Sequence, residues 1–349
     1  MQSKPTYIIR VDGGHQIGLG HTVRCLNLAD EMNQQGKVAV FLTRGRQMAS
    51  RVHAHGYKAI ALDQQADFKA DLHATLKVAK EYQAVGIITD LSNSIFLKDT
   101  QAFVDYLNAL KASGLKLIVI DGGSLTDCLS TKAKFAADEV FIPYFGAEKM
   151  HYQLNGSTKV FLGVDYFIFS PQIKEWAAKT RNIQVTVKNV LVSMGGSDPH
   201  RLTLKALAAL QQIPGKMHIT VVLGMKAKID VQALIKSGPH PVVVVRHASH
   251  MPKLFYQADM AVISSGLTKY EAALLGTPLV CLGAPSQVFP ESFETKQLAV
   301  CLKKEELDIQ TIVKVIIGLA NDFSLRQRFC DNGKRLLDGH GSRRVVELL

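Results

Sequence analysis

The chain has 349 residues, a formal net charge of +11 and 47% hydrophobic residues. That length predicts two domains of about 100–200 residues each, and the apolar fraction, with 20% charged residues, excludes a mainly disordered chain. No apolar run reaches the roughly 18–20 residues of a bilayer span, the first five residues lack the apolar core of a secretory signal, and five scattered cysteines without a CxxC predict reduced thiols in a cytoplasmic protein.

Taken in chain order, Tyr7–Val11 reads as a strand, followed by a Gly-rich stretch over 12–20 and a helix over 21–35 with Val23, Leu26, Ala29 and Met32 three apart. Strands follow at 38–42, 86–90, 117–121 and 139–142, with helical periodicity over 102–112. A polar pause from Ser170 to about Gln184 holds the only tryptophan, Trp176. The alternation restarts with strands at 190–194, 219–223, 242–245, 260–263 and 279–282, helices over 202–212 and 267–275, and a helical C-terminal part. Strands interleaved with helices predict βαβ units, so the expected fold class is α/β, two doubly wound domains spanning 1–170 and 171–349. The first half carries 18 Lys+Arg against 16 Asp+Glu, a net of +2; the second carries 23 against 14, a net of +9. An anionic partner is therefore expected mainly at the second half.

Ligands of such sheets bind beyond the carboxyl ends of the strands, and three segments there could carry chemistry. Gly18-Leu19-Gly20-His21 lies between a strand and a helix: the glycines allow close backbone approach, and the histidine could be a general base or a helix-capping imidazole beside a tight turn. The glycines do not form GxGxxG, and the second strand ends in Thr43-Arg44 with no acid for a ribose, so a dinucleotide fold is not expected. Gly195, Gly196 and Ser197, just after a strand, could cradle a phosphate, while Ser197 or Asp198 could cap the next helix with Pro199 at its first position. Ser264-Ser265-Gly266 leads into a helix with Thr268 in its first turn; Glu271 could accept from ribose hydroxyls or simply complement the helix dipole. Asp90 and Asp121 end neighbouring strands and could face one crevice or form turns. The pairs His247/His250 and His53/His55 lack a third clustered ligand, so no metal is expected.

Together these segments resemble the UDP-sugar hydrolases of the pseudaminic acid pathway, which release UDP from UDP-2,4-diacetamido-2,4,6-trideoxy-β-L-altropyranose and are relatives of the GT-B glycosyltransferases. The resemblance rests on Arg10-Val11-Asp12 through Gly18-Leu19-Gly20-His21-Thr22-Val23-Arg24-Cys25-Leu26, on 161–166, on 192–199, on 263–271 and on 338–345. It implies a GT-B-like fold with UDP between two domains, near Gly195, Gly196, Ser197, Ser264, Ser265, Gly266 and Thr268, with Glu271 on the ribose and the backbone around Val245–His247 on the uracil. It also implies His21 and Asp90 as the catalytic residues, His21 being the base that activates water to attack the anomeric carbon with inversion, with Gly18, Gly20 and Gln287 on the substrate and no cofactor. The chain departs from the family where an Asp-x-Tyr is usual and Asp90-Leu91-Ser92 stands, at Gly122 after Asp121, and where Ser286-Gln287 replaces an Asn-Gln. A glycosyltransferase of the same architecture, with an acceptor hydroxyl in place of water and the basic half helping at an anionic membrane surface, is the alternative. Dispersed basic residues and the absence of any RNA- or DNA-binding motif argue against a nucleic-acid partner.

Overall fold

In the computed structural model the described residues are 4–14, 19–91, 100–120, 136–149, 157–224, 227, 229–246, 248, 250–283 and 292–349. The chain divides into two compact units, Met1–Pro171 with His340–Leu349, and Gln172–Gly339.

The first unit is built on a parallel seven-stranded sheet of β1 (Thr6–Val11), β2 (Val38–Arg44), β3 (Lys58–Leu62), β4 (Gly86–Asp90), β5 (Lys116–Ile120), β6 (Glu139–Ile142) and β7 (Lys159–Leu162), in the order β3-β2-β1-β4-β5-β6-β7. The central strands are almost wholly buried apolar runs, as helices on both faces of a parallel sheet require. Strand order reverses between β1 and β4, where Val11 pairs with Asp90. In open α/β sheets such a reversal is where ligands bind, at the carboxyl ends of the strands. Helix Gly20–Gln34 follows β1, and Gly13 lets the connecting segment pass over it, since a Cβ there would run into the Thr22 hydroxyl.

The second unit repeats the plan with β8 (Asn189–Ser193), β9 (His218–Leu223), β10 (Val242–Arg246), β11 (Met260–Ser264), β12 (Leu279–Leu282) and β13 (Val300–Leu302), all parallel in the order β10-β9-β8-β11-β12-β13. Its reversal falls between β8 and β11. The polar stretch before it holds a short helix, Ile173–Ala177, whose Trp176 packs against Tyr256 at 5.3 Å, and Arg181, which donates to the carbonyls of Phe255, Tyr256 and Ala258.

The structure corrects one expectation about the C-terminus. Helix Gly341–Leu348, assigned above to the second domain of 171–349, belongs to the first unit. Ser342 Oγ donates to the Phe169 carbonyl at 3.1 Å, Tyr7 OH to the Leu349 carbonyl at 2.6 Å, and Val345 and Val346 are fully buried in the first unit's core. Among the described residues no helix is long and apolar enough to cross a membrane.

Candidate functional site

In the first unit, His21 enters in the first turn of helix Gly20–Gln34, whose N-cap, Leu19, supplies no side-chain hydrogen bond. His21, Arg24, Cys25 and Leu28 share the i, i+3, i+4, i+7 face turned towards the sheet, whereas Val23, read above as part of the apolar stripe, is 39% exposed. Polar side chains thus occupy the buried stripe over the first two turns, directly above the end of β4.

The buried stripe meets Asp90 there. His21 Nδ1 lies 2.7 Å from Asp90 Oδ1, and Arg24 grips the same carboxylate side-on, Nε to Oδ2 at 2.8 Å and Nη2 to Oδ1 at 2.7 Å. The Cys25 thiol adds a longer contact to Oδ2 at 3.6 Å, and Arg24 Nη1 donates to the Tyr144 hydroxyl. His21 is 7% exposed, Arg24 2%, Asp90 1% and Tyr144 6%. Burial alone would raise the Asp90 pKa, but Arg24 and then His21 hold it well below the usual carboxylate range. Burial and the Asp90 charge push the Cys25 thiol up, so it stays protonated. An ionised Asp90 only accepts hydrogen bonds, so in this contact the proton lies on Nδ1 of His21. The carboxylate thereby fixes the orientation of the ring.

Beside this pair lies a second buried charge cluster. Arg10 donates to both oxygens of Asp12 (2.6 and 2.9 Å) and both of Asp71 (2.9 and 2.6 Å). Arg44 donates to Asp71 from Nη2 at 2.8 Å and to Asp12 from its backbone N–H at 3.0 Å, and Tyr106 OH donates to Asp71 at 2.9 Å. Two arginines balance two aspartates, and Arg10 with Arg44 keeps Asp71 low against its burial. The Thr43-Arg44 end of β2 is therefore committed to the protein's own carboxylates.

In the second unit, the segment after β8 and the segment after β11 meet at the strand-order reversal. Gly195 has φ +77°, and Gly224 at the end of β9 is a glycine because a Cβ would strike the backbone of Gly195 and Gly196. Ser264 Oγ lies 3.8 Å from where a Cβ of Gly195 would stand and 4.0 Å from that of Gly266, so the two glycine loops share one neighbourhood. Ser265 donates its hydroxyl to the Gly283 carbonyl at 3.0 Å, while Gly266 is exposed and Ser197 half-buried. Thr268 opens helix Thr268–Leu274, whose N-cap Leu267 makes no side-chain hydrogen bond, and Glu271 follows one turn in.

The preceding helix is capped differently. Helix Leu202–Leu210 begins three residues after Pro199, not at it, and the Asp198 carboxylate accepts from the N–H groups of Leu202 (2.8 Å) and Thr203 (2.9 Å). Its positive end is satisfied internally, leaving the loop glycines and the Thr268 helix start as the less committed donors. Arg246 closes β10 and, with Ile229, Val231, Gln232 and Val244, lines a depression of about 800 Å³. Gly18, Asp121, His247 and Gln287 lie outside the described residues. Among the described residues no group of three or more His, Cys, Asp or Glu could hold a metal ion.

Sequence reasoning placed His21 and Asp90 at strand ends but missed Arg24 and Tyr144. The signal for Arg24 was its i+3 spacing from His21 on a buried face; Tyr144 left none, being 120 residues from its partner.

No protein-family model matches the chain. It is 25% identical to the spore coat polysaccharide biosynthesis protein SpsG of Bacillus subtilis (strain 168), across 98% of this chain and 96% of that one. Among solved structures it is similar to MurG of Acinetobacter baumannii, with TM-score 0.70 and 14% identity over 99% of both chains. It is also similar to the spinosyn rhamnosyltransferase SpnG complexed with thymidine diphosphate, with TM-score 0.66 and 12% identity over 98% of this chain and 100% of that one. The fold is thus that of the GT-B glycosyltransferases, and SpsG is a distant homologue.

Proposed function

We propose that this chain breaks the anomeric C–O bond of a nucleotide sugar and passes the glycosyl group to an acceptor hydroxyl in polysaccharide biosynthesis. The observation that carries this reading is the buried His21–Asp90 pair at the strand-order reversal of a GT-B unit. Nε2 of His21 takes the proton of the attacking O–H as the oxygen bonds to C1. The bond from C1 to the diphosphate oxygen breaks with inversion, and the electron pair leaves with the nucleoside diphosphate. Asp90 remains ionised, keeps the proton on Nδ1 and offsets the imidazolium charge as it forms.

The leaving diphosphate falls to the second unit, with net charge concentrated in that half. Gly195, Gly196, Ser197, Ser264, Ser265, Gly266 and Thr268 would offer backbone N–H groups and hydroxyls to its oxygens, and Glu271 would accept from ribose hydroxyls. The depression beside Arg246 is suited to a nucleobase. The nucleotide complex of SpnG and the polysaccharide role in the name of SpsG support this class of substrate.

A second reading replaces the acceptor with water, making the chain a hydrolase of a UDP-2,4-diacetamido-trideoxyhexose. It is favoured by the five motif segments that resemble that family and by the 7% exposure of His21, which suits a small nucleophile. Nucleoside diphosphate release from such donors, followed with and without carbohydrate or lipid acceptors, separates the two. Release that depends on acceptor supports transfer; equal release without any acceptor supports hydrolysis. No release under either condition, with no nucleotide bound, overturns both.

A further inference from the structure

We infer that Tyr144 is a positioning residue for the His21–Asp90 pair, acting through Arg24. Asp90 Oδ1 lies 2.7 Å from both His21 Nδ1 and Arg24 Nη2. Nη2 is also only 3.1 Å from Nδ1 itself. Two donors therefore share one oxygen, and the placing of the guanidinium bears on the place left there for the imidazole.

The side-on grip ties Nε and Nη2 of the guanidinium to the two oxygens of Asp90 and leaves Nη1 outside it. The third point of attachment is Nη1, which donates to the Tyr144 hydroxyl. Tyr144 stands in a tight turn after β6, with its N–H bonded to the Ile142 carbonyl at 2.9 Å and its carbonyl accepting from Ala147 at 3.3 Å, and its side chain is buried. All four side chains are buried, so water is a poor substitute for a lost partner. Tyr144 is thereby the anchor of the guanidinium nitrogen that Asp90 does not hold, and fixes where Arg24 meets the Oδ1 it shares with His21.

The catalytic consequence rests on His21 being the base; the geometric one does not. Tyr144→Phe removes the hydroxyl and keeps the ring. Two measurements are made on Y144F, R24K and the double variant: steady-state nucleoside diphosphate release, and long-range ¹H–¹⁵N NMR of the His21 imidazole, assigned by difference from His21→Asn. Expected for Y144F is kcat lower by about 2–10-fold, the rate equivalent of one hydrogen bond, with KM and nucleotide affinity unchanged. The His21 signal should change from the Nδ1–H tautomer to a mixture. R24K, which keeps Tyr144 but loses the Nη1 branch together with the paired grip on Asp90, should show at least as large a change, and the double variant should be no worse than R24K. A Y144F signal still wholly Nδ1–H overturns the inference, as does a double variant whose losses add. Should Y144F fail to fold, the R24K signal decides. Absence of turnover with the tautomer change present removes the proposed function and leaves the positioning role; normal turnover with no tautomer change does the reverse.

Discussion

His21, Asp90 and Arg24 form one buried hydrogen-bonded group. His21→Asn or Gln should lower nucleoside diphosphate release by on the order of 10²–10⁴ without changing nucleotide affinity, read by single-turnover kinetics and calorimetry. If affinity falls and the rate of bound substrate is normal, His21 binds and does not catalyse. Asp90 also links the site to stability. Its folded pKa is depressed, so its contribution is complete above the unfolded carboxylate value of about 3.9 and is lost as pH falls towards the folded one, where the unfolded chain binds more protons. Asp90→Asn should therefore be less stable than the parent at pH 6 and should show a shallower loss below pH 4 in urea titrations. Parallel loss in both proteins would detach Asp90 from the acid limb.

Helices and strands set where those residues stand, and their legibility depended on burial. β1, β4, β8 and β11 are nearly continuous apolar runs and were readable as strands, as were the loops that follow them. The edge strands β3 and β7 were not: Lys58–Leu62 and Lys159–Leu162 are half-exposed, so neither an apolar run nor a clean alternation marks them. The site was legible where it is local, as in a glycine-flanked histidine opening a helix. It was illegible where partners are distant, since Arg24 reaches Asp90 across 66 residues and Tyr144 across 120. Gly224→Ala tests an element-level dependence, because its methyl would push on Gly195 and Gly196. Nucleotide affinity should weaken by at least about tenfold, the equivalent of roughly 1.4 kcal/mol, with His21's environment unchanged by NMR. Unaltered affinity would place the nucleotide elsewhere.

For the whole molecule, stability in the first unit draws on two devices: the Arg10–Asp12–Arg44–Asp71 cluster and the returning C-terminal helix. Asp71→Asn leaves the buried guanidinium groups of Arg10 and Arg44 short of one negative charge and should destabilise that unit by about 3–5 kcal/mol. Chain cleavage before His340 uncovers the sites filled by Val345 and Val346, at about 1.5–3 kcal/mol each. Hydrogen exchange followed by mass spectrometry should show deprotection of β1 and helix Gly20–Gln34 while β8 and β11 keep their protection. Uniform deprotection would mean that the two units unfold as one.

The return of residues 340–349 also makes Gln172–Gly339 an insertion within the first unit. On the ribosome, every residue of 172–339 is made before the segment that completes the first core. The second unit is contiguous in sequence and can close as it is synthesised, whereas the first waits with the hydrophobic sites for Val345 and Val346 unfilled. The part of the chain that starts first therefore finishes last, and the His21–Asp90 pair is assembled on a scaffold completed only after the glycine loops of the second unit have been synthesised.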